Sequence, residues 1–171
     1  MERLVADGEL DAVIDLTLAQ LANTVCGGNN APVPGKLKAA AERGIPMLVS
    51  VGGVDMISMP KPFNSLPEKF RGRKEYYHEE NVLFVRSTPE ENVEIAKTIA
   101  ERLNAAKGTV KIILPETDKL LYDTIEASVN DVVEVIRDEH HINDPEFARR
   151  AASLMLEMIN SEYTPLAEVS A

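Results

Sequence analysis

Apolar residues fall into two kinds of pattern along the chain. Short near-continuous runs occur at Leu10–Asp15, Pro46–Val51, Val82–Arg86, Thr109–Leu114 and Val132–Arg137. Several are rich in Val and Ile, the pattern of strands buried on both faces of a parallel sheet. Between them, apolar residues return every three or four positions, as on one face of a helix. Thr88-Pro89-Glu90-Glu91 opens such a segment. Thr88 suits a cap, Pro89 the first turn, and Glu91 a capping box. Val93, Ala96, Ile99, Ala100 and Leu103 then share a face, and Gly108 closes the unit. Further helices are expected over Glu2–Asp7, Lys36–Arg43 and Leu120–Val129, and from Asn143-Asp144-Pro145-Glu146 onward through Phe147, Ala151, Leu154 and Met158.

This alternation predicts a Rossmann-like, three-layer α/β/α fold with a mainly parallel sheet of about five strands. Met56–Glu80 reads as a long functional loop with a short helix near Pro67. Residues 1–171 read as one α/β domain, with residues 164–171 expected to fray. The weak helical turn before the first strand also fits a cut made inside a larger protein.

Composition narrows the function classes. No run of apolar residues is long enough for a membrane span, and the N-terminus lacks the regions of a signal peptide. The single cysteine, Cys26, allows no internal disulfide, so a cytoplasmic location is expected. The net charge is −10, and the one dense basic cluster, Lys69–Lys74, is short. Duplex nucleic acid is therefore not the expected partner.

In open α/β sheets, ligands bind beyond the carboxyl ends of the strands. Polar residues follow every predicted strand: Asp15 and Thr17; Gly52, Gly53 and Asp55; Arg86, Ser87 and Thr88; Pro115-Glu116-Thr117; and Asp138 to Asp144. Gly52-Gly53 is either a tight turn or a backbone cradle for an anion. Arg86-Ser87-Thr88 joins a guanidinium, a hydroxyl and a helix N-terminus, which suits a phosphate as well as it suits a structural cap. Cys26-Gly27-Gly28-Asn29-Asn30 reads as a second Gly-rich loop, but no P-loop and no dinucleotide fingerprint occurs. Asp138-Glu139-His140-His141 carries two of the three histidines beside carboxylates. It offers acid, base or ligand groups, and no metal site is assigned. His78, alone in the long loop, reads as an exposed polar residue.

Taken together, several segments resemble the Tm-one-like ATP-binding-domain family, the conserved family of the tomato mosaic virus resistance protein. They are Met1–Gly8, Asp11–Thr17, Gly44-Ile45-Pro46, Gly52–Met56, Arg86–Glu91 and His141–Ala148. The resemblance implies the second of two α/β domains, with ATP and magnesium as ligand and a separate first domain as partner. It also shows a departure, because Pro115–Lys119 is shorter than the family's loop after the fourth strand.

Three functions follow as expectations. The first is binding of a phosphorylated small molecule or nucleotide at the carboxyl edge. Gly52 and Gly53 would donate backbone N–H groups, and Arg86, Ser87 and Thr88 would hold the anion. Asp15, Asp55, His141 and Asn143 would orient the ligand or a bound magnesium ion, with Thr17 also at the binding site. The second is an enzyme with His141 as general acid/base, oriented by Asp138 or Asp144. The third is a domain-pairing or dimerisation module, with a homo-oligomer expected.

Overall fold

The computed structural model describes residues 1–28, 33–60, 66–115 and 119–162. Asn29, Asn30, Glu116, Thr117 and the tail at 164–171 lie outside the described residues. The central element is a four-stranded parallel sheet in the order β1, β2, β6, β7. These strands are Val13–Thr17 (β1), Met47–Gly52 (β2), Val110–Leu114 (β6) and Val133–Arg137 (β7). Val13 pairs with Met47, Leu48 with Lys111, and Ile113 with Ile136.

Because the order advances one way, right-handed crossovers place every connecting helix on the same face. These helices are Ala19–Cys26 (α2), Lys38–Arg43 (α3), Pro89–Asn104 (α4) and Lys119–Ser128 (α5), after a short opening helix, Glu2–Ala6 (α1). The period of two in a strand then divides the core. Met47, Val49 and Val51 of β2 and Val110, Ile112 and Leu114 of β6 meet those helices. Leu48 and Ile113 point the other way, onto Phe147, Ala151, Leu154, Met155 and Met158 of Pro145–Glu162 (α6). The three layers are thus four crossover helices, the sheet, and α6.

Val82–Arg86 (β5) does not join the parallel sheet as the sequence suggested. It is the centre of a three-stranded antiparallel sheet, β3-β5-β4, between Met56–Pro60 (β3) and Glu75–Glu79 (β4). The stretch read as one long loop therefore holds two strands and a 3₁₀ turn, Glu68–Phe70. Ile57, Met59, Leu83, Val85 and Phe70 point into the main core. Tyr76 and Tyr77 on the outer strand remain exposed, which is why β4 looks polar and irregular in sequence.

A helix also runs from Ala19 to Cys26, ended by Gly27 in the left-handed conformation at φ 71°. Cys26 is thus the last residue of a helix rather than part of a loop. At the start of the chain, Glu2 turns its carboxylate to α3 and accepts from Leu37 N–H at 2.8 Å and Ala39 N–H at 3.1 Å. Arg43 answers by donating to the carbonyls of Val5 and Leu10. No helix among the described residues is long and apolar enough to cross a membrane.

Candidate functional site

At the ends of β1, β2 and β5 the polar residues expected at the site are tied to neighbouring side chains or to one another. Asp15 is buried, with Lys36 Nζ 2.6 Å from its Oδ2. Asp55 pairs with the Arg86 guanidinium. The Asp55 carbonyl accepts from Ser87 N–H at 2.9 Å and from Ser87 Oγ at 3.1 Å. Ser87 Oγ donates in turn to Asn92 Oδ1 at 2.6 Å, out of contact with water. Thr88 forms a full capping box with Glu91, and Arg73 grips that carboxylate at 2.6 and 3.1 Å. The first turn of α4 is therefore already supplied with acidic groups, Glu90 and Glu91. An incoming anion would have to displace them.

The two glycines have different reasons. Gly53 has φ 69°, a turn conformation that side chains resist. Gly52 is crowded: a Cβ there would lie 2.7 Å from the Leu16 carbonyl oxygen and 2.7 Å from Ile142 Cδ1. Ile142 packs beside Leu16 in the α6-side core. The segment after β7 thus folds back over this corner and closes it. Thr17, paired with Gly52, is exposed beside the same contact.

Farther along the same edge the structure opens. A cleft of about 900 Å³ lies beyond the ends of β6 and β7, between α5 and α6. Leu114, Pro115 and Tyr122 form its apolar floor, and Tyr122 donates its hydroxyl to the Pro115 carbonyl. Lys119, Arg137, Arg149 and Arg150 bring positive charge, while Asp138, Glu139 and Glu146 bring negative charge. Arg137 is spent on Glu126 at 2.6 and 2.7 Å and on Asp123 at 3.1 Å. Lys119 also pairs with Asp123, and Arg149 with Glu146. Arg150 has no ion-pair partner among the described residues, and it acts on Asp138 through charge.

His140 lines this cleft, and its Nδ1 is 2.8 Å from Asp138 Oδ1. The same oxygen accepts the His140 backbone N–H at 2.9 Å, so the ring is held at two points. The bond from Asp138 raises the His140 pKa above the usual imidazole value, helped by the charges of Glu139 and Glu146. Burial works against the Asp138 carboxylate, yet its bonds to the His140 backbone and ring hold its pKa below the usual range. His141 makes a separate set of bonds. Its N–H donates to Asp144 Oδ2 at 2.9 Å, and its Nδ1 accepts from Asn143 N–H at 3.2 Å. Those bonds shape the turn into α6. Of the two carboxylates foreseen for His141, Asp138 bonds the ring of its neighbour His140, and Asp144 accepts the His141 backbone N–H rather than a ring proton.

The site residues thus fall into separate groups. Thr17, Gly52, Gly53, Asp55, Arg86, Ser87 and Thr88 gather around the turn after β2 and the start of α4, while Asp15 pairs with Lys36, and His141 and Asn143 bond within the turn into α6. Asp138 stands in the open cleft with His140, Arg150, Lys119 and Tyr122. Of these, Arg150, Lys119 and Tyr122 had no motif to flag them. The signal available for His140 was its place in the most chemically loaded stretch of the chain.

Known proteins sharpen this picture. Residues 1–117 match the model described as the C-terminal domain of the uncharacterised protein family UPF0261. A UPF0261 protein of Clostridium tetani is 34% identical over 177 residues, covering 93% of this chain and 44% of the relative. A UPF0261 protein of Rhizobium meliloti is 31% identical, covering 94% of this chain and 45% of the relative. The ToMV resistance protein Tm-1 of Solanum lycopersicum is 34% identical, covering 92% of this chain and 23% of its own length. The chain spans less than half the length of these relatives. It belongs to the UPF0261 family, as a match to that family's C-terminal domain.

Proposed function

We propose that this domain binds a phosphate-bearing small molecule in the cleft between α5 and α6, a nucleotide being the class suggested by the family resemblance. The observation that carries the reading is the charge of the cleft. In a chain with net charge −10, it gathers three arginines, a lysine and a histidine, against three carboxylates, around an apolar floor. Such a floor suits the uncharged body of a ligand, and a few convergent donors suit its anionic end. Arg150 is the guanidinium best placed to serve, since the others answer local carboxylates.

Magnesium enters this reading as part of the ligand. Among the described residues no cluster of three acidic, histidine or cysteine side chains could hold a metal ion. The ion would ride on the phosphates themselves, as magnesium commonly does.

The test is thermal unfolding of the chain with inorganic phosphate and with magnesium-ATP. At about a hundred times its dissociation constant, a ligand adds about 2.7 kcal/mol. The reading expects a rise in Tm that disappears in the Arg149→Ala/Arg150→Ala double variant. A rise that survives both substitutions, or no rise with either ligand, overturns it.

One observation favours a second reading, pairing with another domain or another copy. Ile14 on the edge strand β1 is 45% exposed, although its strand neighbour Leu48 is fully buried beneath α6. Sedimentation of the wild type and Ile14→Lys tests this. A dimer that the substitution dissociates supports pairing through this face, and a monomeric wild type removes self-pairing.

A further inference from the structure

We infer that His140 is a proton-gated ligand group in this cleft, donating Nε2–H to a dianionic phosphate or sulfate group only when its ring carries a second proton. The inference rests on the binding reading above and adds the rule by which the site accepts its anion.

The argument comes from the way the ring is held. Asp138 Oδ1 sits 2.8 Å from Nδ1, so a neutral ring keeps its one proton there. Nε2, the nitrogen left for a ligand, then carries a lone pair. A lone pair there repels the oxygens of a phosphate. Protonation turns the same atom into a charged donor, and a charge-assisted bond to the anion becomes available. Without Asp138 a neutral ring could shift its proton to Nε2 and donate to the ligand uncharged. With Asp138 in place that escape is disfavoured, and binding is coupled to the uptake of a proton.

The surroundings of the ring agree. Asp138 and Glu139 on its own segment and Glu146 on α6 favour the charged form. Facing them are Arg149 and Arg150 on α6, Lys119 on α5 and Arg137 at the end of β7. Three of these four cations are bound to carboxylates: Lys119 to Asp123, Arg137 to Asp123 and Glu126, and Arg149 to Glu146. The ring therefore reaches the charged state easily while Arg150 remains as the second anchor. The sign is fixed by linkage. Affinity is full below the His140 pKa and declines as pH rises through it.

The experiment is calorimetric titration of the chain with sodium sulfate and with inorganic phosphate between about pH 5.5 and about pH 8.5. Sulfate stays a dianion across this window, so any pH dependence with it belongs to the protein. Affinity for sulfate should fall by about tenfold per pH unit above the His140 pKa. Buffers of different ionisation enthalpy should report about one proton taken up per anion bound above that pKa and none well below it. His140→Gln should weaken binding at low pH and give a flat profile. Asp138→Asn, which keeps an acceptor oxygen for the His140 backbone N–H, should move the midpoint to lower pH. Arg150→Ala should weaken binding at every pH while leaving the slope. A flat wild-type profile, or an unchanged one in His140→Gln, overturns the gate while leaving the binding reading intact. Failure of both anions to bind at any pH overturns the binding reading and the gate with it.

Discussion

Replacing Gly52 by alanine separates packing from ligand binding at the corner where the sequence first suggested a site. A Cβ at this position would lie 2.7 Å from the Leu16 carbonyl oxygen, 2.7 Å from Ile142 Cδ1 and 3.1 Å from Thr17 Cγ2. The Ile142 methyl can rotate away, but the Leu16 oxygen belongs to the backbone of β1. That strand is fixed nearby by the Leu18 N–H bond to the Gly52 carbonyl at 3.0 Å. Overpacking of this kind costs about 1–3 kcal/mol. Alanine loses less chain entropy than glycine on folding, which returns about 0.5–1 kcal/mol. Because a backbone oxygen is the close neighbour, the upper part of the overpacking range, about 2–3 kcal/mol, applies, and the net expectation is a loss of about 1–2.5 kcal/mol, a fall in Tm of about 2–10 °C for a chain of this size. Urea and thermal unfolding followed by circular dichroism would measure it. In an Ile142→Ala background one of the two close contacts is gone. The double variant should therefore be more stable than the two single losses predict, by at least about 0.5 kcal/mol. Gly52→Ala with wild-type stability and no anion binding would refute this reasoning, because Gly52 would then serve a ligand rather than the packing.

Further outcomes follow from the same structure. Burial, aided by the charges of Glu91 and Glu94, pushes the Cys26 thiol up to about 12. Iodoacetamide at mildly alkaline pH should therefore label the native chain very slowly and the urea-unfolded chain readily; equal rates would contradict the buried placement. Burial opposes the Glu91 carboxylate, but Arg73 and the Thr88 N–H outweigh it and lower its pKa. Its stabilising effect should be complete above the unfolded carboxylate pKa and lost as pH falls through the lower folded value. Glu91→Ala should thus cost about 2 kcal/mol at neutral pH and far less in strong acid, as read by urea midpoints. Asp15→Ala strands Lys36 in the interior and should cost about 3–5 kcal/mol; a loss under about 1 kcal/mol would mean that water reaches the pair.

Much of the architecture was visible in the chain because local chemistry fixed it. The capping box at Thr88 and Glu91 formed as its spacing implied. Phe147, Ala151, Leu154 and Met158 bury the face of α6 that their period marks out. Helix α2 has its own signal, since Leu18, Leu21, Ala22 and Val25 recur at helical spacing, but the glycines after Cys26 carry the stronger signal of a loop. The antiparallel sheet was harder. Glu75–Glu79 is an edge strand with exposed tyrosines, so it lacks the apolar alternation of a half-buried one.

The site was less legible still, for a topological reason. Residues after every strand looked equally ligand-ready in sequence. Only the folded chain shows that Ile142 covers the corner at β2 while the end of β7 stays open. The choice between His140 and His141 depended on which ring the turn brings to Asp138. Arg150 depended on the angle at which α6 returns across the sheet. Neither is encoded in a local motif.

The most direct test of the central claim is a backbone amide NMR titration of the isotope-labelled chain with inorganic phosphate. The account predicts saturable shifts at Lys119–Tyr122 and across Arg137–Ser153, with little change at Gly52–Asp55 and Arg86–Thr88. Shifts concentrated at Gly52, Gly53 and Arg86–Thr88, with the cleft silent, would contradict it and return the ligand to the corner that Ile142 closes.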